Sequence, residues 1–416
     1  MNRFLGRFWA KNAQFCNKIM KILRIIYDWP TPWQGLSPHP YELTKAQSKL
    51  GHVFDIFCGR WSKSGEIAQV EGVRFHTFSR EPLPGTLNLF NSVWLLFAYI
   101  FWVDDHEVDI VHSHGHFGIW IYGYRLLLKK FIPKARELKI PLVVHFHNTV
   151  EERKQALKEK DAQISPVSTY LSWPLARLSD RWAVQVADAC IFVSTDNLEE
   201  AVKYYKADRS KCFIVESGVN PEKFCSVDGD EKEKTRKELR INVDDKVILY
   251  SGVFSERKGV HLVVEALKYL PRDYKLLLVG SGDSRYQVKL DTLIEENHLE
   301  SRIINSGYTP YPHTHIVFQI ADIFVLASSF EGLPKVVLQS LACRVPALAS
   351  GFKLKEEING LHYINNLNAE EIARQIKEIV EAPRDVDMYK MQKLYSWEQK
   401  AREVEGIYKF VRGAAT

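Results

Sequence analysis

A carboxylate, a glycine and a helix start follow one another closely within Ala321–Ser350. The apolar run Asp322–Ala327 is typical of a strand buried on both faces of a parallel sheet. Pro334 suits a first helical turn because its φ is fixed and its missing N–H is not needed there. Glu331 and Gly332 lie between them in a predicted loop. Glu331 is therefore expected just before a helix whose free N–H groups can bind an anion.

That helix start offers both positive charge and hydrogen-bond donors. The backbone amides of Lys335 and Val336 should point out of the helix, and Lys335 and Gln339 share one helix face because they are four residues apart. A diphosphate-linked ligand could rest on these amides, with Glu331 at one end and Gln339 at the other. An ordinary strand-helix-strand unit would explain the same local pattern.

Two more strand-like runs, Asp109–His116 and Pro141–Thr149, end in histidines. We predict no metal site here, because His112 and His114 alternate to one face of a strand and no cluster of carboxylates or cysteines lies nearby. His147 follows its strand directly and is succeeded by polar residues. This position favours a functional role for His147 over that of a satisfied core residue.

The elements that must position these residues repeat in the order strand, loop, helix. One series begins with the strand Lys21–Tyr27, a loop containing Gly35 and a helix from Tyr41. A second begins with the strand Lys246–Gly252 and a loop that holds Lys258. This order predicts α/β architecture with two doubly wound parallel sheets, whose ligands bind beyond the carboxyl ends of the strands.

Length and composition set further bounds. A chain of 416 residues can form two domains with full cores. The net charge of +5 is modest and spread along the chain, so we predict no nucleic-acid partner. The six cysteines lack a Cys-x-x-Cys pair, which indicates reduced thiols in the cytoplasm. No secretory signal is visible, and we predict a cytoplasmic location.

Two segments bear on membrane contact. Residues 1–19 are basic, contain no acidic residue and carry apolar residues at helical spacing, so an anionic membrane surface is a candidate partner. A poorly ordered extension, or pairing with another chain, is the alternative. Val93–Val103 is the longest apolar run, but a bilayer span needs about 20 such residues. For this run we favour a buried helix over a surface that touches lipid. Membrane contact through residues 1–19 would make the protein peripheral on the inner face of the membrane.

The stretch from Glu331-Gly-Leu-Pro to Gln339 resembles the Glu…Glu element of family 4 (group 1) retaining glycosyltransferases, which have the GT-B fold. The resemblance extends over roughly residues 20–412. It includes Ser217–Phe224, which is similar to the family's linker element, and the helix after Tyr395, which in the family crosses back onto the first domain. It implies two Rossmann-like domains facing across a cleft. The implied segments are a basic extension (1–19), an acceptor-binding domain (20–226), a nucleotide-sugar domain (227–392) and a C-terminal helix (393–416).

The resemblance also implies the reaction and its residues. A hexose-like sugar would pass from a nucleoside-diphosphate sugar to a glycan or lipid-linked acceptor with retention of configuration, as in polysaccharide or lipopolysaccharide biosynthesis, without a metal or further cofactor. The implied catalytic residues are Glu331, Lys258 and His147. The implied donor-binding residues are Gly252, Val253, Gly282, Tyr308, Gly332, Leu333, Pro334, Lys335, Val336 and Gln339. The implied acceptor-binding residues are Gly35 and His114.

The chain departs from the family pattern at two positions. The family has Arg where this chain has Val253, and a second Glu where it has Gln339. Both changes remove a charge that the family uses on the donor nucleotide, so a non-catalytic subunit supporting a partner transferase is an alternative. A nucleotide-sugar epimerase with the same fold is another. The presence of Glu331 and Lys258 favours the transferase.

Overall fold

A computed structural model describes residues 19–31, 33, 36–60, 65–79, 92–151, 168–354, 356–382 and 385–415. The predicted amphipathic segment at the amino terminus lies outside these residues except for its last position, Ile19. Gly35 also lies outside them.

Within the described residues, the strands form two parallel sheets. The order in the first sheet is β3-β2-β1-β4-β5-β6-β7, and in the second it is β10-β9-β8-β11-β12-β13. The first sheet contains β1 (Lys21–Ile26), β2 (Val53–Arg60), β3 (Val73–Ser79), β4 (Ile110–His114), β5 (Leu142–Phe146), β6 (Ala189–Phe192) and β7 (Cys212–Ile214). The second contains β8 (Lys246–Ser251), β9 (Tyr274–Val279), β10 (Ile303–Gly307), β11 (Ile323–Leu326), β12 (Ala347–Ala349) and β13 (Leu361–Tyr363).

The α-helices connect these strands and cover the faces of the sheets. Those connecting or covering the first sheet are α1 (Pro38–Lys49), α2 (Val93–Asp105), α3 (Ile119–Phe131), α4 (Trp173–Val186) and α5 (Thr195–Glu200). The others are α6 (Gly229–Glu238), α7 (Val260–Ala266), α8 (Ser284–Glu296), α9 (Thr314–Gln319), α10 (Lys335–Ala342), α11 (Ala369–Glu381), α12 (Met388–Tyr395) and α13 (Trp397–Ala415). Among the described residues, none of these helices is both long and apolar enough to cross a bilayer.

Both sheets are doubly wound, which confirms the predicted fold class. Strand β1 pairs in parallel with both β2 and β4, and β8 pairs in parallel with both β9 and β11. The chain therefore leaves each sheet in opposite directions at β1/β4 and at β8/β11. Ligands of such sheets bind where the strand order reverses, beyond the carboxyl ends of the strands. In this chain those ends carry His114 as the last residue of β4, the loop with Lys258 after β8, and the loop with Glu331 after β11.

The last helix belongs to the core of the first domain. Trp397, Val404 and Tyr408 of α13 are buried in one hydrophobic cluster with Ile22 of β1. The hydroxyl of Tyr408 accepts a hydrogen bond from the buried guanidinium of Arg24 at 3.3 Å. Helix α13 also packs along α1. The first domain is thus completed by the final residues of the chain.

The expectation that Val93–Val103 is buried is wrong for one side of the helix it forms. Leu95, Tyr99 and Val103 are fully buried against the first sheet. Trp94 is 64% exposed and Phe101 is 70% exposed. Apolar residues surround the whole of α2, so its composition does not indicate which side the domain covers.

Candidate functional site

Two loops of the second domain touch at a glycine. Gly259 ends the loop after β8 with φ +63°, and a Cβ atom there would lie 2.0 Å from the carbonyl oxygen of Ala327, at the end of β11. The backbone N–H of Ser329 also donates to the carbonyl oxygen of Arg257 at 2.9 Å. Only glycine permits this approach and this backbone conformation. The contact brings Lys258 against the loop that carries Glu331.

Glu331 accepts three hydrogen bonds on one oxygen. Its Oε1 receives bonds from Lys258 Nζ, from the hydroxyl of Ser328 at 2.6 Å, and from Arg257 at 3.3 Å. The Glu331 side chain is only 10% exposed. Hydrogen bonds to a charged, poorly solvated acceptor are strong, so this carboxylate is held in place. The structure brings the two predicted catalytic residues Glu331 and Lys258 together.

Arg257 was not predicted as a site residue from the sequence. Besides its ion pair with Glu331, it donates to the carbonyl oxygen of Phe330. The available signal was a second basic residue directly before Lys258 in the same loop. The cluster Arg257–Lys258–Glu331 therefore has two positive groups, although the family arginine position is Val253.

The predicted anion-binding helix is α10, and it begins one residue later than expected. Pro334 precedes the helix as its N-cap, with extended backbone angles of φ −72° and ψ 111°, and the first helical residue is Lys335. Lys335 is half-buried, and burial lowers its pKa to about 8. Gln339, one turn further along, is 9% exposed. A Cβ atom on Gly332 would lie 3.6 Å from Ser194 of the first domain, so the cleft is narrow here.

The other predicted donor residues fall into three groups. Gly252, Val253 and Gly282 lie together at the carboxyl ends of β8 and β9, where a Cβ atom on Gly280 would lie 1.9 Å from the carbonyl oxygen of Gly252. Leu333 and Val336 pack against the core of the second domain. Tyr308 follows the edge strand β10, and its hydroxyl donates to the carbonyl oxygen of Trp33 in the first domain. In the second sheet β9 and β8 lie between β10 and β11, so Tyr308 follows a strand that does not neighbour the one before the Glu331 loop.

The first domain contributes a cluster of buried imidazoles. His114 and His147 form a hydrogen bond between Nδ1 and Nε2 at 2.9 Å, which places the predicted acceptor and catalytic histidines side by side. The ring of His39, from α1, lies 4.5 Å from that of His147. His112 and His145 stack with the same group. His39 was not predicted, since it lies on a helix between two prolines.

Burial keeps these imidazoles neutral. It lowers the pKa of His39, His112, His114 and His147 well below the ordinary value, and that of His145 to about 3. For His39 and His147, neighbouring histidines and the charge of Lys335 lower the pKa further. Lys335 of α10 is therefore among the charges that act on this cluster. Each neutral ring can donate one hydrogen bond and accept one.

The sequence argument against a metal was incomplete, because the fold gathers histidines from three elements. Nitrogens of His39, His145 and His147, and those of His112, His114 and His145, lie within 4.8 Å of one another. The ring planes of His112, His114, His145 and His147, however, differ by only 4–20° in the contacting pairs. Ring lone pairs lie in the ring plane, so stacked rings do not converge on a tetrahedral centre. The absence of a metal stays a prediction.

A second interdomain contact lies at Glu42. Its carboxylate accepts from the hydroxyl of Tyr311 at 3.0 Å and from the side-chain amide of Asn220 at 3.1 Å. Burial raises the pKa of Glu42. Glu42 thus links α1 of the first domain, the interdomain linker and the second domain. Residues so far apart in the chain give no local sequence signal.

Comparisons with known proteins agree with this architecture. The family model for glycosyltransferase family 4 matches residues 33–223, and the model for glycosyl transferases group 1 matches residues 231–403. An uncharacterized glycosyltransferase of Methanocaldococcus jannaschii is 24% identical and covers 94% of this chain and 98% of its own.

Solved structures show the same fold. Sucrose-phosphate synthase from Thermosynechococcus elongatus aligns with a TM-score of 0.71 at 18% identity, over 95% of this chain and 100% of that one. Anabaena HepE in complex with UDP and glucose aligns with a TM-score of 0.66 at 15% identity, over 93% and 98%. The two family models together span nearly the whole chain, one on each domain. The protein therefore belongs to the group 1, family 4 glycosyltransferases and has the GT-B fold.

Proposed function

We propose that this glycosyltransferase moves a sugar, hexose-like as the resemblance suggests, from a nucleoside-diphosphate sugar to an acceptor with retention of configuration. The observation that carries the proposal is the buried cluster of Glu331, Lys258 and Arg257 immediately before the start of α10. It combines a fixed carboxylate for sugar hydroxyls with positive charge for a diphosphate. Anabaena HepE, which shares the fold, is described with UDP and glucose bound.

In this arrangement the diphosphate rests on the helix start. The backbone N–H groups of Lys335 and Val336 donate to it, and the helix dipole adds positive potential. Lys258 and Arg257 stabilise the negative charge that grows on the diphosphate as the glycosidic bond breaks. Among the described residues, the hydrogen bonds to the Glu331 carboxylate are accepted by Oε1. Its Oε2 can then accept from sugar hydroxyls.

The two departures from the family pattern fit an active enzyme. The positive charge missing at Val253 is present four residues later at Arg257, in the same loop. Gln339 lies one helical turn after Lys335 and still offers a carbonyl oxygen to a ribose hydroxyl. The proposal needs no metal, no further cofactor and no nucleic acid.

We place the acceptor on the histidine side of the cleft. His147 and His114 are neutral and adjacent, and the charge of Lys335 on the donor helix lowers the pKa of His147. Neutral imidazoles suit hydrogen bonding to hydroxyl groups. A glycan or a lipid-linked sugar, as in polysaccharide or lipopolysaccharide synthesis, has the required chemistry. Contact of residues 1–19 with an anionic membrane surface on the cytoplasmic side would bring the enzyme to a lipid-linked acceptor.

The test compares Lys258→Ala and Glu331→Ala with Lys268→Ala, an exposed lysine of the same domain. Loss of Lys258 should lower turnover on the order of 100-fold, because one preorganised charge is removed from the transition state. Loss of Glu331 should weaken calorimetric binding of the nucleotide sugar and leave binding of the free nucleoside diphosphate nearly unchanged. Lys268→Ala should behave as the parent.

Two results would contradict the proposal. A product of inverted anomeric configuration, read by NMR, would refute retention. If the parent binds neither a nucleoside diphosphate nor its sugar conjugate, and both variants still support a partner's activity, the chain is a non-catalytic subunit. Val253 and Gln339 are the residues that favour that second function.

A further inference from the structure

The first domain exposes large apolar side chains on two neighbouring helices. We call this group the aromatic face. Each of its side chains is between 48% and 70% exposed. Its members are Trp94, Phe97 and Phe101 of α2, Leu127 and Phe131 of α3, and Ile132 directly after α3.

The two helices are fixed to the domain by their opposite sides. Leu95, Tyr99 and Val103 of α2 are fully buried in the core, as are Ile121 and Tyr122 of α3. Arg125 of α3, itself buried, donates to the hydroxyl of Tyr99 at 3.1 Å and so ties the helices together. The outward residues therefore contribute little to this core, and their exposure is set by the fold.

The exposed area lies in the upper part of the range for the largest apolar patch of a monomer. Four aromatic rings of about 200 Å² each, exposed by 48–70%, present roughly 500 Å² together. The largest apolar patch of a typical monomeric protein is about 300–600 Å² and is often functional. The rings of Trp94 and Phe97 lie 6.1 Å apart, in the first two turns of α2. A surface of this size is a candidate for a functional contact.

Basic side chains border the aromatic face. Four exposed ones follow one another at the end of α3 and in the next turn: Lys130, Lys134, Arg136 and Lys139. The Lys130 ammonium lies 5.1 Å from the centre of the Phe131 ring, so its stem runs along the apolar surface. Acidic groups on or next to the same segments are Asp104, Asp105, Glu107 and Glu137, and Glu107 is paired with Lys21 at 2.8 Å. Positive charge therefore exceeds negative charge beside the rings.

We propose that the aromatic face docks on an anionic lipid bilayer. Tryptophan and phenylalanine side chains enter the headgroup region, and the bordering lysines bind lipid phosphates. Apolar insertion and a basic border are the two signals that together give stable anchoring. This site is separate from residues 1–19 and from the donor site. The docking proposal rests on the proposed function in one respect: a lipid-linked acceptor would reach the enzyme at the side of the first domain that docks on the bilayer.

The experiment is flotation of the full chain with phosphatidylcholine vesicles, with and without phosphatidylglycerol. The variant Phe101→Ser/Phe131→Ser removes the two most exposed rings of the face. The matched control is Tyr269→Ser/Val288→Ser, which changes two exposed residues of the second domain. We expect the face variant to bind anionic vesicles at least about tenfold more weakly, and the control to bind as the parent. Lys130→Glu/Lys134→Glu should weaken binding, and salt should release the parent.

Several results would overturn the proposal. These are unchanged binding of the face variant, equal binding of the parent to neutral and anionic vesicles, or loss of binding on deleting residues 1–18 alone. A parent dimer that the face variant converts to a monomer in light scattering would show that the face joins two copies. Transfer to a water-soluble acceptor should be the same in parent and face variant, so failure of docking is distinguishable from failure of the catalytic proposal.

Discussion

Mild acid should destabilise the first domain, because four imidazoles there are fully buried and neutral. His39, His112, His114 and His145 are at most 1% exposed, and burial lowers the pKa of each. In the unfolded chain a histidine titrates near pH 6.5. The unfolded state therefore binds more protons than the native state below about pH 6.5. The contribution of these neutral histidines to the free energy of unfolding is fully present above that pH and is lost as the pH falls.

The size of the effect follows from proton linkage. Between about pH 6.5 and pH 5.5, each histidine protonated only in the unfolded state lowers the free energy of unfolding by about 1 kcal/mol. Four such residues give about 4 kcal/mol, a large part of the roughly 5–15 kcal/mol that stabilises a typical domain. For a domain of this size the melting temperature should fall by roughly 10 °C.

The assay is thermal unfolding followed by circular dichroism across this pH range. His145→Phe tests the cause, because among the described residues neither ring nitrogen of His145 has a hydrogen-bond partner. This variant should lose about a quarter of the acid sensitivity. His313→Gln, at an exposed position, should keep all of it. A melting temperature of the parent that does not change between neutral pH and about pH 5.5 would refute the reasoning.

Three further predictions concern the donor site and its support. Arg257→Ala should lower turnover on the order of 100-fold in a diphosphate-release assay, and adding Val253→Arg should restore part of it; unchanged turnover of the single variant would show that Arg257 does not replace the missing charge. Gln339→Glu should keep or tighten calorimetric binding of a nucleoside diphosphate, since a carboxylate is the stronger acceptor; a large loss would mean that this side chain does not face ribose. Gly259→Ala should destabilise the second domain by more than about 1 kcal/mol in denaturant unfolding, because its Cβ would collide with the carbonyl of Ala327; an unchanged midpoint would argue against the close approach.

Much of the architecture could be predicted because it has a local signature. The apolar runs that became β8 and β11 are short and uninterrupted, and a loop with a glycine follows each. That pattern gave the strand positions to within a residue or two. It also placed Lys258 and Glu331 at the carboxyl ends of neighbouring strands, where they form an ion pair.

Other features depend on contacts between distant parts of the chain. His39 joins the histidine cluster only because α1 packs beside β4 and β5, and Tyr311 reaches Glu42 across the domain boundary. Arg257 lies beside a known motif, but its partner is set by the close approach at Gly259. The exposed side of α2 was missed because its residues are apolar all round. None of these contacts leaves a trace in composition or periodicity.

The packing of α13 into the first domain has a consequence for synthesis of the chain. Tyr408 meets Arg24 and His112, which the ribosome makes 384 and 296 residues earlier. At about 5–20 residues per second, the chain between the end of β7 and the start of α13 takes roughly 10–40 s to synthesise, and the nascent first domain waits that long for its last helix. During this time the surface that will receive Trp397 and Val404 stays open to chaperones. The amino-terminal half can therefore mature only after the carboxyl-terminal half has been translated.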